Sequence, residues 1–187
     1  VIADRERAEE HLLRKTRELH HTVGTGFFGT GLLNQALTHM GQTEDAYKLM
    51  LQTQFPSWLY PVTQGATTIW EHWDSFNHYS LGSVLSWMYQ VILGIQRDEK
   101  CPGYEHFLLK PEIGSLKFAR GSVASPYGMI RAGWKKEKSQ VKYHCEIPAN
   151  TEATIYLPDG TRKELGSGVY EFYFKDAESI NKGEMRS

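Results

Sequence analysis

Apolar positions in the first half of this chain recur at helical spacing, and in the second half they alternate. From Asp4 to Leu19 the residues are mostly charged, with sparse apolar positions at Leu12, Leu13 and Leu19. This pattern predicts a helix with a narrow buried stripe. Gly24, Gly26, Gly29 and Gly31 then punctuate Phe27-Phe28, a loop in which backbone can come close to something else. Leu32, Leu33, Ala36, Leu37 and Met40 follow at helical spacing, with Gly41 where a C′ residue belongs. Thr43 is the expected N-cap of a short helix carrying Ala46, Tyr47, Leu49 and Met50. Leu81, Leu85, Met88, Ile92 and Ile95 form a further stripe. The pattern predicts helical hairpins packed side by side, with function carried on the loops between them.

After Cys101-Pro102-Gly103 the period changes. Ile130, Ala132 and Trp134 mark one strand, following the turn at Pro126-Tyr127-Gly128. Val141, Tyr143, Cys145 and Ile147 alternate with Lys142, His144 and Glu146, and Ala153, Ile155 and Leu157 alternate likewise before the turn Pro158-Asp159-Gly160. Short strands separated by turn signals predict a small antiparallel β-sandwich. The expected organisation is therefore helical over 1–100, stranded over 104–175, with the boundary near 97–104 and a polar tail over 176–187.

Composition narrows the function classes. Of the 187 residues 40% are hydrophobic and 23% charged, enough for a packed core. The net charge of −1 and the lack of a basic stripe among stacking aromatics exclude nucleic acid as a partner. No run approaches 18 apolar residues, so no segment is expected to span a membrane. The two cysteines, Cys101 and Cys145, suit one disulfide or two free thiols equally. No metal is expected, because His20-His21 and His72 with His78 form no HExxH-type motif. No cofactor is expected either, since the glycines around Phe27 match neither a P-loop nor a dinucleotide fingerprint. There is no GxSxG elbow. The opening Val1-Ile2-Ala3-Asp4 reads as the start of a helix inside a longer polypeptide.

The densest chemistry lies in Trp70-Glu71-His72-Trp73-Asp74-Ser75-Phe76-Asn77, followed by His78 and Tyr79. Aromatic rings, carboxylates and amides in one loop suit a sugar: rings stack on the apolar face of a pyranose, and the polar groups bond its hydroxyls. A carboxyl held between apolar rings also gains proton affinity, which suits it to proton transfer. Glu71, between Trp70 and Trp73, is the foremost candidate for that role. A buried Trp-rich turn with a salt-bridged or helix-starting glutamate accounts for the same residues equally well. His78 is a candidate substrate contact, although a lone histidine more often serves structure. Glycoside hydrolysis ordinarily needs two carboxyls on opposite sides of the scissile bond. Glu71 and Asp74 share one short segment, so the partner acid is expected on another loop, and no second loop of this chain offers one.

The run Gly65-Ala66-Thr67-Thr68-Ile69-Trp70-Glu71-His72-Trp73-Asp74, continuing through Ser75-Phe76-Asn77-His78-Tyr79-Ser80-Leu81-Gly82-Ser83-Val84, closely resembles the α-L-rhamnosidases of glycoside hydrolase family 78. Thr25-Gly26-Phe27-Phe28-Gly29-Thr30 and Pro56-Ser57-Trp58-Leu59-Tyr60-Pro61 resemble two further signatures of that family. Phe107-Leu108-Leu109-Lys110-Pro111 and Ala124-Ser125-Pro126-Tyr127-Gly128 resemble its C-terminal sandwich.

The resemblance covers nearly the whole chain in the family's order. It implies the last helices of an (α/α)6 barrel followed by a small antiparallel β-sandwich, an α plus β chain. The implied activity is hydrolysis of terminal α-L-rhamnosides with inversion. By the same resemblance Glu71 is the general base, His78 matches a histidine of the rhamnose subsite, and Trp70 and Trp73 wall that subsite. The general acid of the family lies in an upstream segment absent here, so the implied partners are a rhamnose-containing glycoside or polysaccharide and N-terminal domains of the same parent protein. Many members insert a longer loop between the Trp-Asp pair and the Ser-Phe-Asn-His run. Here the two join directly, which bears on the pocket rim and on aglycone preference. A reading from another class is a non-catalytic carbohydrate-binding or structural module built on the sandwich.

Overall fold

The computed structural model describes residues 4–70 and 75–175, which divide between Trp87 and Met88 into a helical unit and a stranded unit. In the helical unit Asp4 caps α1 (Arg5–Glu18), its carboxylate accepting the Arg7 backbone N–H at 3.1 Å. Lys15 and Arg17 lie in its last turn, where cations complement the helix dipole. α2 spans Phe27–His39 with Gly26 at its N-cap, so Phe27-Phe28-Gly29-Thr30-Gly31, expected in the glycine loop, form its first turns; Gly41 follows its C-cap with φ +72°. α3 spans Thr43–Leu51, with Gln42 at the N-cap and Thr43 as first helical residue, one position from the expectation. Leu37, Tyr47, Leu49 and Trp87 form the core here, with the Trp87 ring edge-on to Tyr47 at 5.4 Å and its N–H donating to Thr38 Oγ1 at 2.8 Å.

α1 is tied to α3 by a charge cluster rather than by apolar surface. Arg17 donates two bonds to the buried Asp45 carboxylate, at 3.0 and 2.8 Å, and His21 Nε2 lies 2.8 Å from the same group. The bond from the Arg17 guanidinium holds the Asp45 carboxyl down at about 2, against the upward effect of its burial, with His21 adding to the depression.

The stripe through Leu81, Leu85, Met88, Ile92 and Ile95 does not form one helix. After the short α4 (Tyr60–Thr63), that stretch divides into α5 (Tyr79–Gly82), α6 (Val84–Trp87) and a π-helical turn (Met88–Ile92), and Ile95 opens a strand. Val84, Trp87 and Val91 are buried while Leu85 is exposed. Ile92 and Ile95 of the expected stripe are buried as well, so the expected face is kept at its end and departs at Leu85, where Val84 and Trp87 are buried instead.

The stranded unit has two four-stranded sheets. One is ordered β1 (Ile95–Arg97), β2 (His106–Leu109), β6 (Glu152–Tyr156), β7 (Arg162–Leu165). The other is β3 (Phe118–Ser125), β4 (Gly128–Glu137), β5 (Gln140–Ile147), β8 (Gly168–Lys175). Among the described strands every pair is antiparallel except β2–β6, which run parallel because three strands of the other sheet intervene in the chain. Alternation supplies the core: Phe107, Leu109 and Ile155 from one sheet, Ile130, Val141 and Tyr143 from the other, all fully buried. The Trp134 N–H donates to the Ile92 carbonyl at 2.8 Å, which fastens the π-helical turn to β4. Gly94 adopts φ +78°, and a Cβ there would sit 2.2 Å from the Pro111 nitrogen, so only glycine lets the chain pass from that turn into β1.

Candidate active site

Three segments far apart in sequence meet in the helical unit. The first is the loop before α2 with the start of that helix, carrying Val23, Thr25, Gly26 and Phe27. The second is Phe55 to Pro61, and the third is Trp70 with Ser75; together with Leu81 they line a cavity of about 840 Å3. Backbone bonds hold them there. Val23 donates to the Pro56 carbonyl at 2.8 Å, and His78 donates to the Ile69 carbonyl at 3.1 Å, which closes the base of the central loop. The Trp58 indole is buried and donates to the Leu81 carbonyl at 2.9 Å. α2 and α5 approach closely because Gly31 has no side chain: a Cβ there would meet Ser83 Oγ at 2.0 Å.

Aromatic rings dominate the walls. Phe55 lies edge-on to Tyr60 at 5.3 Å, and Trp70 edge-on to Phe76 at 5.3 Å. Trp70 is partly exposed, so one part of its surface faces the cavity. Thr25, Thr30, Ser57 and Tyr60 add hydroxyls. Among the described lining residues none carries a charge. Such walls hold an apolar-faced, hydroxyl-bearing ring, and an acid or base for chemistry must come from elsewhere.

His78 stands beside this cavity at the N-cap of α5. Its Nδ1 accepts the Ser80 backbone N–H at 3.2 Å, which in the neutral ring leaves the proton on Nε2. Its ring lies 5.1 Å from Phe27 and stacks on Tyr79 at 5.2 Å. The helix cap engages one nitrogen of this histidine, and that structural role is compatible with a place beside the cavity. Glu71 and Trp73 lie outside the described residues. The sequence did not single out Phe27, Phe55, Trp58 or Tyr60 as site residues. Phe27, Trp58 and Tyr60 lie in the two glycine- and proline-containing motifs and Phe55 just before the second, but nothing local says that those motifs share a cavity with Trp70. Among the described residues no group of three or more His, Cys, Asp or Glu side chains could hold a metal ion.

Residues 2–92 match the bacterial α-L-rhamnosidase six-hairpin glycosidase domain, and residues 94–170 match the bacterial α-L-rhamnosidase C-terminal domain. The chain belongs to the α-L-rhamnosidase family. An α-L-rhamnosidase of Streptomyces avermitilis is 38% identical in an alignment 151 residues long that covers 73% of this chain and 14% of that protein. One of Formosa agariphila is 33% identical in an alignment 177 residues long that covers 87% of this chain and 19% of that protein. Among solved structures, native α-L-rhamnosidase from Aspergillus terreus superposes with a TM-score of 0.82 at 34% identity, over 91% of this chain and 22% of that one. The Streptomyces avermitilis enzyme complexed with L-rhamnose gives 0.84 at 33% identity, over 91% and 20%. The chain thus spans about a fifth or less of these family members. The helical unit corresponds to the hairpin glycosidase domain and the strands to the C-terminal domain, an α plus β arrangement.

Proposed function

We propose that this chain is the C-terminal part of an inverting glycosidase that hydrolyses terminal α-L-rhamnosides, with Glu71 as general base. The observation that carries the reading is the convergence of Gly26-Phe27, Ser57-Trp58-Tyr60 and Trp70 on one uncharged, aromatic cavity, with Glu71 next in chain to Trp70. Rhamnose is a 6-deoxy sugar and presents a methyl group where other hexoses carry a hydroxymethyl, which suits walls of Phe55, Trp58 and Trp70. His78 and Trp73 complete the sugar subsite, with His78 Nε2–H donating to a hydroxyl. The general acid comes from an upstream segment of the parent. In this mechanism Glu71 deprotonates a water on the face opposite the leaving group while the acid protonates the glycosidic oxygen, the two carboxyls standing about 6.5–9.5 Å apart.

The test is Glu71→Gln in the full-length parent. It keeps the shape of the side chain but cannot accept the proton. We expect kcat to fall by about 10²–10⁴-fold, the usual scale of general base catalysis, with KM changed far less. Azide needs no base, and its attack should restore turnover with a β-configured product. A kcat within about threefold of wild type would make Glu71 a structural carboxylate.

A further inference from the structure

The outer face of the β3-β4-β5-β8 sheet takes no part in the reading above, yet it has the construction of a binding surface. Strand register places its side chains in rows that cross all four strands. One row runs Phe118, Lys135, Lys142, Tyr173; the next runs Arg120, Gly133, His144, Glu171; the third runs Ser122, Arg131, Glu146, Val169. Gly133 sits at the middle of this array, where no side chain fills the face, and a Cβ there would come 2.8 Å from the Ala119 carbonyl oxygen. The result is an open groove of about 890 Å3 whose charged walls are Arg120, Arg131, Lys135, Lys142 and Glu171.

The cations are not equivalent. Arg131 is paired with Glu146 at 2.6 Å, Lys142 with Glu171 at 2.7 Å, and Lys135 with Glu137 at 3.3 Å. Arg120 is exposed and has no ion-pair partner among the described residues. Its guanidinium presents a planar fork that matches a carboxylate. Phe118, one row away on the same strand, is 61% exposed, and Tyr173 is 55% exposed at the far end of that row. Exposed rings beside a guanidinium and a donor–acceptor pair are what a hydroxylated ring bearing a carboxylate requires.

We propose that this face binds an acidic saccharide chain, with Arg120 holding a uronate carboxylate over Gly133 and Phe118 stacking on an adjoining sugar ring. The Lys142–Glu171 pair then donates to and accepts from sugar hydroxyls. Lys142 keeps Glu171 ionised by lowering its proton affinity, so the groove contains a fixed negative charge. With Glu146 it makes the groove mixed in sign, unlike a nucleic-acid surface, which is uniformly basic, and leaves Arg120 as the position for a single carboxylate. The site is separate from the aromatic cavity of the helical unit and stands whether or not Glu71 is the base.

The experiment is a calorimetric and NMR titration of the 187-residue chain with tetragalacturonate, its fully methyl-esterified form and polyuridylate. The acid should bind, and the ester, with the same shape but no charge, should bind at least about tenfold more weakly, the scale of a charge-assisted bond. Arg120→Ala and Phe118→Ala should each weaken binding of the acid by about fivefold or more with the melting temperature unchanged, since both side chains are exposed. Amide shifts should cluster on β3, β4 and β5, a readout that needs no variant to fold. No binding of the acid at about 10 mM, equal binding of the ester, tighter binding of polyuridylate, shifts confined to the helical unit, or a folded Arg120→Ala that binds as wild type would each overturn the proposal.

Discussion

Asp45→Asn should loosen the helical unit in a way that depends on pH. Asp45 is 5% exposed and takes two bonds from Arg17 and one contact from His21. The residues just beyond His21 run into the cavity wall at Val23 and Thr25, so the same contact that pins α1 to α3 also positions the candidate site. Its carboxyl is lowered from an ordinary 3.8 to about 2. At 1.36 kcal/mol for each tenfold change in proton affinity, that difference sets a ceiling of about 2.5 kcal/mol. Arg17 is 54% exposed, and solvent screening reduces the realised value to about 1–2 kcal/mol. Because the folded carboxyl is the stronger acid, the stabilisation is fully present above the unfolded value near 4 and disappears as pH falls through about 2. Urea unfolding followed by helical circular dichroism at pH 5 and at pH 2 measures the gap between wild type and Asp45→Asn. The gap should be about 1–2 kcal/mol at pH 5 and close to zero at pH 2. A gap of equal size at both pH values would mean that the charge of Asp45 contributes nothing and that the substitution acts through packing.

Gly94→Ala should destabilise the stranded unit by about 3 kcal/mol or more and lower its Tm by more than about 12 °C, because φ +78° and the Pro111 backbone at 2.2 Å both oppose a Cβ; a Tm within a few degrees of wild type would contradict the close approach. Both cysteines are free, Cys145 buried with its thiol pushed up to about 12 by that burial and Cys101 half-buried. One thiol should therefore react with an aromatic disulfide reagent in the native protein and the second only in denaturant, whereas two fast thiols would place Cys145 at the surface. This chain alone should not hydrolyse p-nitrophenyl α-L-rhamnoside, since the proposed general acid lies outside it; turnover by the purified chain would locate the acid among these residues.

Sequence by itself determined what nearest neighbours decide. Period and caps locate α1, α3 and the second part of α2, because whether a residue at i+3 or i+4 is apolar settles which side of a helix can be buried; the start of α2 at Phe27 falls in the glycine-rich stretch that reads as loop. Alternation likewise locates β4, β5 and β6, and the two-residue repeat puts Val141, Tyr143 and Cys145 on one face without knowledge of what lies opposite. The family resemblance, carried by short contiguous motifs, was legible for the same reason. Tertiary structure decided everything that depends on which surfaces meet. The stripe from Leu81 to Ile95 reads as one helix, but the run is interrupted at Ser83, widens into a π-helical turn over Met88–Ile92 and gives way to a strand at Ile95, while Trp87 packs against Tyr47 and Thr38. Thr25, Trp58, Tyr60 and Trp70 become one cavity only through the Val23–Pro56 and Trp58–Leu81 bonds, each between residues more than twenty positions apart. The groove over Gly133 is more hidden still, since its rows are assembled from one residue per strand by register. A single-residue slip of any strand would turn Arg120 or Lys142 to the other face.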